Sequence, residues 1–109
     1  MAKIGKNRVQ IIPGRYKLND IVTVKTRLIH PQQNGRFKNR QGEYIPAHHL
    51  TQFTATYGDE EIIRLDLSAS IAVNPFFDFS LKATKSAPIR VEWKDNQGGV
   101  YRQEATISV

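Results

Sequence analysis

Apolar and polar side chains alternate with a period of two along most of this chain, the spacing that gives an extended strand one buried face. Over residues 20–30, Val22, Val24, Thr26 and Leu28 fall on one side, and Thr23, Lys25 and Arg27 on the other. Over 51–58, Phe53, Ala55 and Tyr57 oppose Gln52, Thr54 and Thr56. Over 61–67, Ile63, Leu65 and Leu67 oppose Arg64 and Asp66. Over 74–83, Phe77, Phe79, Leu81 and Ala83 oppose Asp78, Ser80 and Lys82, which leaves Phe76 on the polar side. Ile89, Val91 and Trp93 oppose Arg90, Glu92 and Lys94, and the final stretch puts Tyr101, Ala105, Ile107 and Val109 on one face. A further piece, residues 7–12, reads as an edge strand stopped by Pro13-Gly14.

The connections carry turn residues. Gly58-Asp59 joins two strands tightly, and Asp95-Asn96-Gln97-Gly98-Gly99 joins the last two, with glycine free to take positive φ. No segment has a helical period of useful length, although residues 68–74 allow one short turn before Asn74-Pro75. The pattern predicts an all-β fold: an immunoglobulin-like β-sandwich of about seven antiparallel strands. Its 109 residues suit one domain, with residues 1–8 as a loose lead. One long polar connection, residues 30–47, interrupts the pattern. Loops of that length without structure of their own are uncommon and are often functional.

Charge marks the same region. Residues 1–50 hold ten Lys and Arg against Asp20 and Glu43, whereas residues 51–109 hold six against eight acids. One part of the surface should therefore attract an acidic partner. The chain has no cysteine, which rules out disulfides, thiolate metal sites and cysteine nucleophiles. No apolar run approaches the roughly 18 residues of a membrane span. The N-terminal residues carry Lys3, Lys6 and Arg8 with no apolar stretch behind them, so no secretory signal is expected and the sequence alone points to the cytoplasm.

The chemistry-bearing candidates are few. His30, His48 and His49 are the only histidines. Adjacent imidazoles on an extended segment point to opposite faces, and no carboxylate or thiolate stands at a recognisable ligand spacing, so no metal and no cofactor is expected. The serines sit in no Gly-x-Ser-x-Gly elbow, and Glu60-Glu61 reads as a solvated pair, so no catalytic residue is expected. Arg36, Lys38 and Arg40 alternate along the loop and would project to one side, a grip for an anionic polymer such as nucleic acid. Only Phe37 lies among them, short of the aromatic interleaving of a single-strand platform.

The succession His30-Pro31-x-x-x-Gly35, then Ile45-Pro46-Ala47-His48 leading into Phe53-Thr54-x-Thr56-Tyr57-Gly58, then residues 74–83 and residues 89–109, resembles the SoxZ family over about residues 20–109. Gln32-Gln33-Asn34 stand where that family typically has Met-Glu-Thr, and Ala55 where many members have cysteine. The resemblance implies an immunoglobulin-like sandwich without catalytic residues. It implies a heterodimer with a SoxY-type carrier subunit, whose C-terminal cysteine arm bears sulfur intermediates during thiosulfate oxidation. It also implies transient contacts with other sulfur-oxidation enzymes, no nucleic acid or membrane partner, and periplasmic work after co-export with the signal-bearing partner. Alone, the chain could self-associate through the same surface. On this reading the partner surface comprises His30, Pro31, Gly35, Arg36, Lys38, Pro46, Ala47, His48, Asn74, Pro75 and Phe76. A thiol-free companion does not exchange with a carried persulfide, and a basic surface favours anionic sulfur species.

Overall fold

A computed structural model describes residues 4–68 and 75–109. The strands are β1 (Asn7–Ile12), β2 (Ile21–Leu28), β3 (Leu50–Tyr57), β4 (Glu60–Asp66), β5 (Phe76–Lys82), β6 (Ala87–Asp95) and β7 (Val100–Ile107). They form a three-stranded sheet, β1-β2-β5, and a four-stranded sheet, β4-β3-β6-β7. Every pairing is antiparallel. The expected immunoglobulin-like β-sandwich is the fold. Among the described residues, no helix is long and apolar enough to cross a membrane.

The two-residue period sets what is buried. Val22, Val24, Thr26 and Leu28 of β2 point inward, as do Phe53, Ala55 and Tyr57 of β3 and Ile89, Val91 and Trp93 of β6. Phe53 stacks on Phe77 across the two sheets, with ring centroids 4.6 Å apart, and its other face tilts against Trp93 at 5.7 Å. Burying each such ring contributes about 1.5–3 kcal/mol, and the pairing adds about 0.5–1.5 kcal/mol. Thr26 is the polar exception in this layer. Its hydroxyl takes a bond from Phe77 N at 2.9 Å and donates to Phe77 O at 2.5 Å, so burial leaves it satisfied.

β4 departs from the expected pattern. Leu65, opposite Phe53 on this edge strand, is exposed, and Ile62 and Ile63 are both half-buried because the register of β3 against β4 shifts between Ala55 and Thr56. One residue is inserted there, and the inward set moves by one position. Residues 7–12 form the edge strand expected, and Gly5 and Lys6 just before it bond Ile29 through their backbones. The short turn expected near 68–74 lies almost wholly outside the described residues.

Candidate functional site

The connection between β2 and β3 has structure of its own. Gln33 and His48 exchange both backbone hydrogen bonds at 2.9 Å, Ile45 N donates to Phe37 O at 2.8 Å, and Asn39 N donates to Glu43 O at 2.8 Å. Lys38 and Tyr44 are bridged between these pairs. The segment is thus a two-stranded ribbon. Its tip is made by Asn39, whose side-chain oxygen accepts from Gln41 N and Glu43 N at 3.0 Å each, and by Gly42 at φ 80°. Phe37 and Tyr44 are exposed on the ribbon, 65% and 64%, and Lys38 Nζ lies 5.0 Å from the Tyr44 ring centroid. Arg36, Lys38, Arg40 and Pro46 are exposed as well.

The base of the ribbon is tied to the β6–β7 turn. Asn96 Nδ2 and Gln97 Nε2 both donate to Ala47 O at 2.9 Å, and Asn96 Oδ1 accepts from His49 N at 2.8 Å. Gln32 Oε1 accepts from Leu50 N at 3.0 Å, and its amide donates to Ser68 O at 3.3 Å. Gln32 therefore holds the start of β3.

At the centre lies Asp95. By its sequence context the aspartate reads as a turn residue, which it is, and the histidines as lacking a carboxylate partner, which the structure corrects. The side chain of Asp95 is fully buried, and its Oδ2 lies 3.0 Å from His30 Nε2, 3.0 Å from His48 Nε2 and 2.7 Å from the Tyr101 hydroxyl. Oδ1 accepts from Gln97 N at 2.9 Å and Gly99 N at 2.7 Å. Burial pushes this carboxyl's pKa up, but the donors from His30, Tyr101, Gly99 N and His48 outweigh it and hold the group well below the usual carboxylate range. The Tyr101 hydroxyl is pushed up to about 12 by burial and by the Asp95 acceptor and charge. His30 Nδ1 lies 2.5 Å from Pro31 O. The His30 ring meets His48 and Tyr101 edge-on, at centroid distances of 4.6 and 5.6 Å.

The predicted site residues divide accordingly. His30 is wholly buried and offers no surface in this chain; it anchors the ribbon. His48 is half-buried and joins the same cluster, whereas His49 turns away to bond Leu50 O through Nδ1 at 3.0 Å. Pro31, Gly35 and Ala47 line the ribbon base, half-buried. Pro75 is buried, and its carbonyl accepts from Leu28 N at 3.3 Å. Phe76 is 61% exposed under the Arg27 guanidinium, 4.6 Å from its ring centroid. It pairs with Arg27 near the end of β2, where the ribbon begins. Asn74 lies outside the described residues. The outer face of the four-stranded sheet forms a shallow trough lined by cross-strand ion pairs, Arg90–Glu104 at 2.8 Å and Arg102–Glu92 at 2.7 Å, so most of its charge is internally neutralised.

Residues 9–106 match the family described as "Sulphur oxidation protein SoxZ". The chain belongs to the SoxZ family. The matched span takes in the ribbon, the Asp95 cluster and all strands but the start of β1 and the last residue of β7. No curated protein sequence matches this SoxZ chain. Among solved structures it is similar to a superoxide reductase (neelaredoxin) from Ignicoccus hospitalis, with a TM-score of 0.72 at 16% identity over 97% of this chain and 81% of that one. It is similar to a putative superoxide reductase from Thermotoga maritima, with a TM-score of 0.68 at 15% identity over 94% and 84%. It is also similar to the sulfur carrier protein SoxY from Chlorobium limicola f thiosulfatophilum, with a TM-score of 0.62 at 12% identity over 94% and 74%. At these identities the likeness is one of fold.

Proposed function

We propose that this chain is the non-catalytic subunit of a sulfur-carrier heterodimer, binding a SoxY-type subunit that bears the sulfur intermediates of thiosulfate oxidation. The family match over residues 9–106 carries the reading. The surface supports it. The ribbon presents Phe37 and Tyr44 among Arg36, Lys38 and Arg40, and Phe76 with Arg27 stands near its root. Aromatic and arginine anchors of this kind dominate protein interfaces. Two prolines, Pro31 and Pro46, and the bonds at the base limit the ribbon's motion, which lowers the entropy lost on docking. A stable pair buries on the order of 1,600 Å² in total. We further propose that the pair works in the periplasm, where it meets the other enzymes of the pathway transiently.

The test is co-expression with a small carrier that ends in a glycine-rich, single-cysteine tail. The expected result is a one-to-one complex through gel filtration, weakened at least tenfold by Phe37→Ala with Tyr44→Ala. Failure to co-elute, with salt-sensitive retention of single-stranded nucleic acid instead, overturns the reading in favour of a polyanion-binding module. Cell fractionation with and without the carrier tests the compartment, and a chain that stays cytoplasmic in both overturns that part.

A further inference from the structure

We propose that His30, His48 and Asp95 form a binding site for one divalent transition-metal ion, with zinc the best chemical match. The ligand atoms, two imidazole nitrogens and one carboxylate oxygen, all lie within 4.8 Å of one another. Both Nε2 atoms stand 3.0 Å from the same oxygen, Asp95 Oδ2. Tetrahedral zinc with bonds of about 2.0–2.2 Å sets its ligand atoms roughly 3.3–3.5 Å apart. The two nitrogen–oxygen edges would open by a few tenths of an ångström to seat the ion, and the edge between the two imidazole nitrogens would settle to the same length.

The outer bonds favour the same conclusion. His30 Nδ1 faces Pro31 O, which only accepts, so a hydrogen bond there places a proton on Nδ1. The other ring nitrogen, Nε2, faces Asp95 Oδ2 at 3.0 Å and is the atom an ion would take. Asp95 is fixed in the same manner, with Oδ1 held by Gln97 N and Gly99 N, and Oδ2 turned to the imidazoles and steadied by the Tyr101 hydroxyl at 2.7 Å. A carbonyl behind the histidine and backbone N–H groups behind the carboxylate are the outer partners that orient ligands at metal centres.

Access is one-sided. The side chains of His30 and Asp95 are 0% exposed and that of His48 is 19% exposed, so an ion would enter past His48. Imidazole ligands select zinc, copper or nickel over magnesium and calcium. With no cysteine in the chain, the site would bind more weakly than thiolate zinc sites do.

Calorimetry tests this on the tag-free chain, stripped with a chelator and titrated with zinc chloride at neutral pH. Thermal melts and the visible spectrum of the cobalt(II) form provide further readouts. The expected outcome is one ion per chain, a melting temperature that rises with free zinc, and tetrahedral cobalt bands. His48→Ala, chosen because that residue alone of the three reaches the surface, should weaken binding at least tenfold, as should Asp95→Asn, and His49→Ala should leave it unchanged. Circular dichroism confirms that each variant folds, and His48→Gln replaces any that does not. No saturable binding up to about 0.1 mM free zinc, too weak to shift stability at trace metal levels, overturns the proposal. Binding that survives loss of His48, or that follows His49 instead, overturns it equally, whatever the outcome of partner co-expression.

Discussion

At the scale of single residues, the turn after β6 shows how close approach constrains composition. A methyl group added at Gly99 would lie 2.8 Å from Asp95 Cγ and 2.5 Å from the Tyr101 hydroxyl oxygen. Gly99→Ala should therefore push the carboxylate off its imidazole partners and cost about 1–3 kcal/mol. Thermal melts should show this as a drop of roughly 4–8 °C per kcal/mol. Gly14→Ala, with nothing within 4 Å, is the control that should leave the melt in place. Asp95→Ala goes further, since it strands His30 Nε2, the Tyr101 hydroxyl and Gly99 N without their acceptor. About 1–3 kcal/mol is expected for a buried donor left unpaired in this way, read as a lower urea midpoint. The glycines of this turn were legible in the sequence as turn formers. The need at Gly99 was not, because it arises from an aspartate four residues away in the chain that is pulled inward by a histidine 65 positions earlier. No local pattern encodes that closure.

Among the elements, the strands were the legible part. Period-two alternation placed the buried faces of β2, β3 and β6 because each has one wet and one dry side. In β4 it placed Ile63 and Leu67 against the core but missed the bulge that brings Ile62 there too, because a run of two isoleucines suits either register. It also left residues 30–47 as an unstructured loop, since the ribbon lacks an apolar face and is held by backbone bonds and by Asn39. Asn39→Ala removes the acceptor for Gln41 N and Glu43 N at an exposed tip. Hydrogen exchange at Glu43 and Ile45 should speed up by about five- to tenfold, equivalent to a lost bond of about 1 kcal/mol. The global melting temperature should hardly move, because no core contact is touched. Phe53→Ala should behave in the opposite way. It deletes the ring stacked between Phe77 and Trp93 and should cost about 3–5 kcal/mol, with every amide of both sheets exchanging faster.

Across the whole molecule, charge is distributed by face. The four-stranded sheet pairs its exposed arginines with glutamates, Arg90 with Glu104 and Arg102 with Glu92. The three-stranded sheet sets Arg8, Lys25 and Arg27 side by side, with Arg8 opposite Arg27 in register, and Asp78 pairs with Arg27 alone among them. The ribbon adds Arg36, Lys38 and Arg40 against Glu43. Six of the ten Lys and Arg in the first half of the chain thus lie on one sheet and the ribbon that leaves it. Such a field speeds the encounter with an acidic surface and contributes less to the lifetime of the complex once apolar contacts form. Replacing Arg36, Lys38 and Arg40 together by serine should slow association with the carrier subunit by about tenfold at low salt. The deficit should shrink as ionic strength approaches that of a roughly 8 Å screening length, while dissociation changes less than threefold. Stopped-flow mixing across a salt series separates the two rates. A change confined to dissociation would place the three cations inside the dry part of the interface, and Phe37 and Tyr44 would then no longer stand as its principal anchors.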